Sequence, residues 1–417
     1  MAIKLFKHQE EGVDFFLQNK KVCLFYEAGT GKTFIALDAL TKLPAGRVLI
    51  VAPKRVLEQV WKIDDNYDIS KHNVTYLNYE KIARDKDFTK NTWDYIILDE
   101  VHKLKGRTTK TSKKFSVVCK RARYVLGLTG TPIANSYVDI YNIYKHCDIN
   151  EFDMSCDEFI YRYYYYKLLD SSSGYKFPML IAPKPMFLKE LMDRIARHSK
   201  TKRLLECVDF LQEPLPPRLI YVEGMVNKTY EELKRGIFRT ESYSKTMIPL
   251  ERINKQHQAA NGFVYDDFGD AISICENKKL KILSELLSDL LEETERVIIV
   301  YQYKEDLNNL KTLEYDWTTN PEEFPNKQIL FLQFAQSEGL NLQYCSNMIF
   351  YSYDYSFLNY EQITRRIFRI GQNKRVNYTI LISKGTIEEK IWWAIKNKKS
   401  TDEFLKECIG GYDGEFD

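Results

Sequence analysis

The sequence predicts an α/β fold of two parallel-sheet lobes with a mainly helical insertion between them. Three observations lead there. Strand-like and helical segments alternate over residues 1–146 and again over 291–417. Several strand-like runs, Val48-Leu49-Ile50-Val51 among them, are apolar throughout, which suits strands buried on both faces of a parallel sheet. One run, Lys21-Val22-Cys23-Leu24-Phe25, feeds a glycine-rich turn and then a helical pattern from Phe34 to Leu40. Strand, turn and helix in that order make a phosphate cradle.

Along the chain, residues 1–146 supply strand candidates at Val22–Phe25, Arg47–Val51, Val74–Leu77, Tyr95–Leu98 and Tyr124–Leu128. Residues 147–290 change character. Helical patterns at Lys189–Ile195, Lys228–Phe238 and Lys278–Glu292 dominate, with one apolar run, Arg218–Val222, introduced by Pro214, Pro216 and Pro217. This interval reads as a helical insertion and linker. Strands return at Val297–Tyr301, Gln328–Phe331, Asn347–Tyr351 and Tyr378–Ile382, giving a second lobe over 291–417.

Composition bounds the function classes. The 417 residues have room for roughly two or three domains. Lys+Arg number 61 against 58 Asp+Glu, so a nucleic-acid partner must be argued from local patches. Lysines interrupt the first residues, Met1 to Lys7, which argues against a secretory signal. No uncharged apolar run is long enough to suggest a membrane span. The eight cysteines form no C-x-x-C pair, and the six histidines fall at no ligand-like spacing beside them. A zinc site is therefore not expected, and a reducing, cytoplasmic setting is.

The chemistry is carried by four segments. In Tyr26-Glu27-Ala28-Gly29-Thr30-Gly31-Lys32-Thr33, the backbone of Gly29, Thr30 and Gly31 turns toward an anion. Lys32 is expected to reach the β- and γ-phosphates of ATP, and the Thr33 hydroxyl to hold Mg²⁺. Tyr26 stands where the strict pattern has its first glycine. Tyr95-Ile96-Ile97-Leu98-Asp99-Glu100-Val101-His102 is an apolar strand ending in two acids, where a parallel sheet meets its ligand. Asp99 is assigned to the Mg²⁺ shell and Glu100 to polarising the attacking water. Leu128-Thr129-Gly130-Thr131-Pro132 follows the next strand, so Thr129 and Thr131 can sense the γ-phosphate beside the acids. In Gln362-Ile363-Thr364-Arg365-Arg366-Ile367-Phe368-Arg369-Ile370-Gly371-Gln372, Arg366 and Arg369 are three apart and are expected to share one helix face. Guanidinium groups there suit the charge of a transferring phosphoryl group, and Gln362 is a coupling candidate.

These segments, in this order, resemble helicase superfamily two, and within it the SWI/SNF-type double-stranded DNA translocases. His8-Gln9 resembles the adenine-reading glutamine motif, and Val51-Ala52-Pro53-Lys54 through Trp61 a strand-contact motif. Gly339-Leu340-Asn341-Leu342-Gln343, Arg369-Ile370-Gly371-Gln372 and Gly385-Thr386-Ile387-Glu388-Glu389 continue the likeness. The resemblance implies two RecA-like lobes and an ATP- and Mg²⁺-using motor that tracks duplex DNA or remodels junctions. A non-processive ATP-gated clamp, recruiting a partner such as a nuclease or a replication or repair factor, is the alternative. Gln9 is implied in nucleotide binding, Lys54 and Arg55 in strand contact, and Asn341 in a phosphate contact from the second lobe. The chain departs from the family at Val101, commonly glycine or alanine there, and at Ala335-Gln336-Ser337-Glu338, which lacks the usual glycines.

Nine basic residues and no acid lie from Lys103 to Arg123, which makes Lys103 and Lys105 candidates for backbone contact, while Lys54 and Arg55 are the better individual ones. The same stretch also reads as a solvated loop and helix. Tyr161-Arg162-Tyr163-Tyr164-Tyr165-Tyr166-Lys167 is open to two readings, base stacking or packing against the lobe. Trp392 and Trp393 read as buried anchors of the last helix. A compact chain without appended domains suggests a monomer of bacterial or viral source, acting in the cytoplasm of the bacterium or infected cell.

Overall fold

A computed structural model describes residues 4–61, 67–107, 109–133, 136–170, 176–208, 211–239, 244–334, 339–399 and 401–410. The chain divides into two compact units, Met1–Asp209 and Phe210–Asp417.

The first unit is built on a six-stranded parallel sheet of β1 (Lys21–Tyr26), β2 (Arg47–Val51), β3 (Asn73–Leu77), β4 (Tyr95–Asp99), β5 (Tyr124–Leu128) and β8 (Ser199–Lys202). Its order is β3-β2-β4-β5-β1-β8. The continuous apolar runs are buried on both faces, as expected. In β1, Val22, Leu24 and Tyr26 meet Val13 and Phe16 of helix Lys7–Asn19 and Ile35 and Leu40 of helix Lys32–Lys42. The alternate residues Cys23 and Phe25 join Phe115, Ile143, Tyr144 and Phe159 on the other side. Between β5 and β8 a two-stranded antiparallel ribbon, β6 (Tyr164–Asp170) and β7 (Lys176–Pro183), leaves the sheet.

The second unit carries β9 (Arg218–Val222), two short hairpins, β10 (Ile237–Arg239) with β11 (Ser244–Thr246) and β12 (Phe263–Tyr265) with β13 (Ala271–Ser273), then β14 (Val297–Tyr301), β15 (Trp317–Thr318), β16 (Ile329–Gln333), β17 (Asn347–Phe350) and β18 (Asn377–Ser383). Its parallel sheet has the order β15-β16-β14-β17-β18-β9. Leu283 and Leu287 of helix Lys278–Glu293 pack on Val297, Ile299, Ile329 and Phe331. Opposite charges tie the helix after the last strand, Ile387–Lys396, to helix Lys278–Glu293: the Lys279 ammonium and the Glu388 carboxylate, both fully buried, lie 2.6 Å apart. The Ser383 N–H also donates to Glu388, at 2.8 Å.

Two parallel sheets recur as the sequence predicts, and every strand named above from the sequence is present within a few residues. The interval 147–290 is divided between the units at 209/210 and holds strands as well as helices. Its β8 and β9 close one edge of each sheet. The last helical expectation is corrected in part. Trp392 is buried, but Trp393 is 50% exposed, with the Lys399 ammonium 4.1 Å from its ring centre. On a helix adjacent residues point about 100° apart, and here Trp393 is turned off the face that buries Ile391, Trp392 and Ile395.

Candidate functional site

Three segments of the first unit converge because β5 lies between β1 and β4. The glycine-rich loop follows β1, the acid pair ends β4, and Thr129 to Pro132 follow β5. Gly130 fixes the approach: a Cβ there would stand 3.1 Å from the Ala28 backbone nitrogen, so the segment after β5 rests directly on the glycine-rich loop.

Within that loop Gly29 and Gly31 take left-handed backbone angles, φ +84° and +81°. Helix Lys32–Lys42 starts immediately after Gly31, presenting its first turn of N–H groups to the loop. The Lys32 ammonium donates to the Tyr26 and Glu27 carbonyls at 2.8 and 3.1 Å. The Thr30 hydroxyl donates to the Glu27 carbonyl at 2.8 Å. Behind the loop, the Gln9 amide donates to the Thr30 carbonyl at 3.0 Å, and the His8 Nε2 lies 2.8 Å from the same oxygen. Gln9 therefore braces the glycine-rich loop, and its side-chain carbonyl oxygen accepts from the Phe6 N–H.

Asp99 is buried at the end of β4. Burial, and then the Glu100 charge, push its carboxyl up to about 6, against the Trp61 indole and the Lys32 charge, which pull it down. Glu100 sits at φ +53°, a sharp turn that ends the strand. His102 joins this corner to the next segment: its Nδ1 lies 3.0 Å from the Thr129 hydroxyl and 3.1 Å from the Glu100 carboxylate. Thr129 is buried, and its hydroxyl oxygen accepts the Thr131 N–H at 3.1 Å. A buried Asp99 and a half-buried Glu100, mutually repelling and beside a lysine and a positive-φ glycine loop, fit a nucleotide with its divalent cation.

His102 and Trp61 were present in the sequence motifs without a role. His102 could have been found from its place two residues beyond Glu100. Trp61 carried no such signal, because its contact with Asp99 spans 38 residues.

In the second unit the arginines are placed differently from the expectation. Helix Phe357–Thr364 ends before Arg366, so Arg366 and Arg369 stand in the turns that follow and not on one helix face. The Thr364 hydroxyl donates back to the Tyr360 and Glu361 carbonyls, and its own carbonyl accepts from the Tyr378 hydroxyl. The Arg365 N–H still bonds the Glu361 carbonyl, and the Arg366 N–H turns to that of Ile363, the tighter spacing at which the helix ends. Gln372 then secures the turn, its amide donating to the Cys345 and Ile367 carbonyls. Arg369 is brought against Asn341: its guanidinium donates to the Asn341 side-chain oxygen and, at 3.2 Å, to the Leu340 carbonyl. Burial and the Arg366 charge lower its pKa to about 10, which leaves it charged near neutrality. Gln362 lies on the preceding helix, half-buried. The departure at Ala335-Gln336-Ser337-Glu338 lies outside the described residues.

Among the polynucleotide candidates, Lys54 is exposed and Arg55 half-buried at the start of the helical turn after β2. Lys103 is exposed, 3.8 Å from the Glu80 carboxylate, and Lys105 is half-buried. The wider basic stretch is partly used by the protein itself. Lys114 donates to the Ile82, Ala83 and Asp85 carbonyls, Arg121 to that of Thr89, and Arg107 pairs with Asp157.

Comparison with known proteins bears on the same residues. Residues 63–164, which include the acid pair and the Thr129–Pro132 segment, match the family model of the SNF2-related domain. The chain contains an SNF2-related domain. The resemblance to SWI/SNF-type members of helicase superfamily two is thereby borne out. A probable ATP-dependent DNA helicase, CHR12 of Arabidopsis thaliana, is 25% identical over 96% of this chain and 42% of its own length. Chromodomain-helicase-DNA-binding protein 1-like of Mus musculus is 25% identical over 94% of this chain and 49% of its own. This chain thus spans under half of either relative. The helicase domain of Pyrococcus furiosus Hef shares the fold, with a TM-score of 0.51 at 13% identity, covering 94% of this chain and all of that one. These relatives correct the expected source. They are plant and animal proteins named for helicase activity or chromatin, which points away from a bacterial or viral cytoplasmic origin.

Among the described residues, no helix is long and apolar enough to cross a membrane.

Proposed function

We propose that this chain is a nucleic-acid-dependent ATPase working as a translocase on duplex DNA. The observation that carries the reading is the convergence, at the ends of three adjacent strands, of a positive-φ glycine-rich loop, an acid pair whose Asp99 is buried, and a threonine segment resting on the loop. ATP is the substrate. Lys32, now held by two loop carbonyls, exchanges them for phosphate oxygens, and the N–H groups of Gly29 to Thr33 accept the remaining charge. Thr33 and Asp99 would hold Mg²⁺, which when bound offsets phosphate charge. Glu100 orients the attacking water and receives its proton, with His102 linking it to Thr129 as a sensor of the γ-phosphate. Gln9 sets the loop and borders the nucleotide base. Arg366 and Arg369, offered from the second unit, supply guanidinium charge to the transition state, an effect worth about 10³–10⁵ in rate elsewhere. Lys54, Arg55, Lys103, Lys105 and Asn341 contact phosphates of the DNA, and Gln362 and Thr131 couple those contacts to hydrolysis.

The names of the relatives, an ATP-dependent DNA helicase and a helicase-DNA-binding protein, support both substrate classes. The test is ATP hydrolysis with and without blunt duplex, alongside third-strand displacement from a triplex. Duplex stimulates hydrolysis and the wild type strips the third strand only with hydrolysable ATP. Lys32→Ala abolishes both while duplex affinity stays within a few-fold. Glu100→Gln binds ATP and stalls. Stimulated hydrolysis without displacement would replace the motor by an ATP-gated clamp, and hydrolysis that survives Lys32→Ala would remove the site assignment.

A further inference from the structure

The tyrosine run splits in two in the structure. Tyr163 and Tyr164 are buried in the first unit's core, and Tyr166 packs against it with Leu180 and Phe187. Tyr164 is fixed further, its hydroxyl accepting the Tyr137 N–H at 2.7 Å. Tyr161 and Tyr165 point the other way and are 68% and 51% exposed. Tyr161 lies on helix Cys156–Tyr163 and Tyr165 on β6, and one cation serves both rings. The Lys184 ammonium lies 5.2 Å from the Tyr161 ring centre and 5.9 Å from that of Tyr165. It is held there by the Tyr161 carbonyl, to which it donates at 2.7 Å.

The outward side of the ribbon continues this surface. A bulge at Tyr165/Tyr166 leaves Ile181 opposite no partner, 65% exposed, and the Lys167–Met179 pair follows on the same side. Lys167, exposed, and Lys184 supply positive charge on this side. Flat rings, apolar neighbours and positive charge on an exposed ribbon match one ligand chemistry: nucleobases with their phosphates. In a duplex the base faces are stacked on one another, and only edges and backbone are offered. Rings that stack need a base out of the helix.

We propose that the β6–β7 ribbon, through Tyr161 and Tyr165 with Lys184 between them, binds unpaired nucleotides and directs this chain to junctions between duplex and single strand. The inference rests on the DNA-motor reading for its partner class, and it deepens that reading by naming the DNA form. Each ring stacks one base and contributes about tenfold or more in affinity. Lys184 meets the intervening phosphate, which makes the contact salt-dependent.

The test compares fluorescence anisotropy of the full chain on a forked duplex with single-stranded arms and on a blunt duplex of equal paired length. The variant is Tyr161→Ala/Tyr165→Ala, whose exposed side chains leave the core packing in place. It should weaken fork binding by about a hundredfold and blunt-duplex binding by less than twofold, and Trp at both positions should restore the fork preference. Equal loss on both substrates, no loss on either, or failure of Trp to restore binding overturns the proposal. An unchanged affinity would assign the apolar ribbon face to a protein strand instead. Blunt-duplex-stimulated ATP hydrolysis is measured on the same variant and should be unchanged. Absence of that stimulation in the wild type defeats the motor reading, while the binding comparison still decides the ribbon.

Discussion

The Trp61 indole N–H donates to the Asp99 carboxylate at 3.0 Å, tying the segment after β2 to the acid that ends β4. Both side chains are buried, Trp61 to 2% exposure. The same segment opens with Lys54 and Arg55, so the proposed phosphate contacts and the partner of Asp99 share one short stretch of chain. Trp61→Phe keeps an aromatic ring, though a smaller one, and removes the donor. Stability should fall by about 1–3 kcal/mol, because a buried carboxylate oxygen loses its partner. A carboxylate that loses a donor is harder to ionise, so Asp99 should titrate above its present value of about 6. The acid limb of the pH–rate profile for ATP hydrolysis then moves to higher pH, and DNA stimulation at neutral pH drops. A profile that does not move would show that Trp61 is only a packing residue.

Asp306 and His257, both in the second unit, set opposing pH dependences. Burial raises the Asp306 carboxyl to about 6 in spite of bonds from the Ser352 hydroxyl and the Tyr303 N–H. Unfolded aspartate titrates near 3.9, so between about pH 4 and 6 the folded state binds more protons. The stability this group adds is complete below pH 4 and is lost as pH rises through 6, up to about 3 kcal/mol. His257 runs the other way. Burial and the Lys279 charge lower it to about 3, so its contribution is complete above about 6.5 and is lost as pH falls. Asp306→Asn removes one limb. Urea unfolding at steps from pH 4 to 7 should show the variant gaining on the wild type by up to about 3 kcal/mol across the range. A constant difference would mean Asp306 ionises normally.

The Lys279–Glu388 pair predicts strong non-additivity. Lys279 also donates to the Asn261 side chain at 2.9 Å, and Glu388 accepts the Ser383 N–H, so neither charge depends on the other alone. Removing either charge leaves the other buried without its counter-ion, a loss of about 3–5 kcal/mol. Lys279→Met and Glu388→Gln should each cost that much. The double variant should cost less than the sum by about 2 kcal/mol or more, because no buried charge is then stranded. Chemical denaturation of the four proteins in the cycle measures this, and simple additivity would contradict the pairing.

Much of this was legible in the sequence because it rests on local pattern. The buried parallel strands announce themselves as unbroken apolar runs, and the phosphate loop and acid pair follow strand ends within a few residues. What escaped depends on contacts far apart in sequence or on weak edge signals. Strand β8 is Ser199-Lys200-Thr201-Lys202, an edge strand whose lysines are the ordinary protection of an open edge and carry no hydrophobic period. The helix before Arg366 ends in a backbone tightening, the Arg366 N–H turning to the Ile363 carbonyl, which a charge pattern does not reveal. The tyrosine run gave periodicity for neither a helix nor a strand, since Tyr163 closes a helix and Tyr164 opens β6.

Gly31 joins the phosphate loop to Gln9, and it supplies the sharpest test of that contact. Its φ of +81° is a conformation side chains other than glycine rarely adopt, and a Cβ there would stand 2.2 Å from the Gln9 amide nitrogen. Gly31→Ala therefore meets two separate penalties. The backbone strain is about 1–2 kcal/mol and stays whatever the neighbours do. The clash concerns the end of a long side chain, which can move if it gives up its bond to the Thr30 carbonyl. Gly31→Ala should lower the melting temperature and reduce ATP hydrolysis by at least tenfold. Adding Gln9→Ala should relieve the clash without recovering hydrolysis, because Thr30 then has no amide to hold it and the strained φ persists. Full recovery in the double variant would show that Gln9 only obstructs the loop, and that the glycine conformation is not required for binding phosphate.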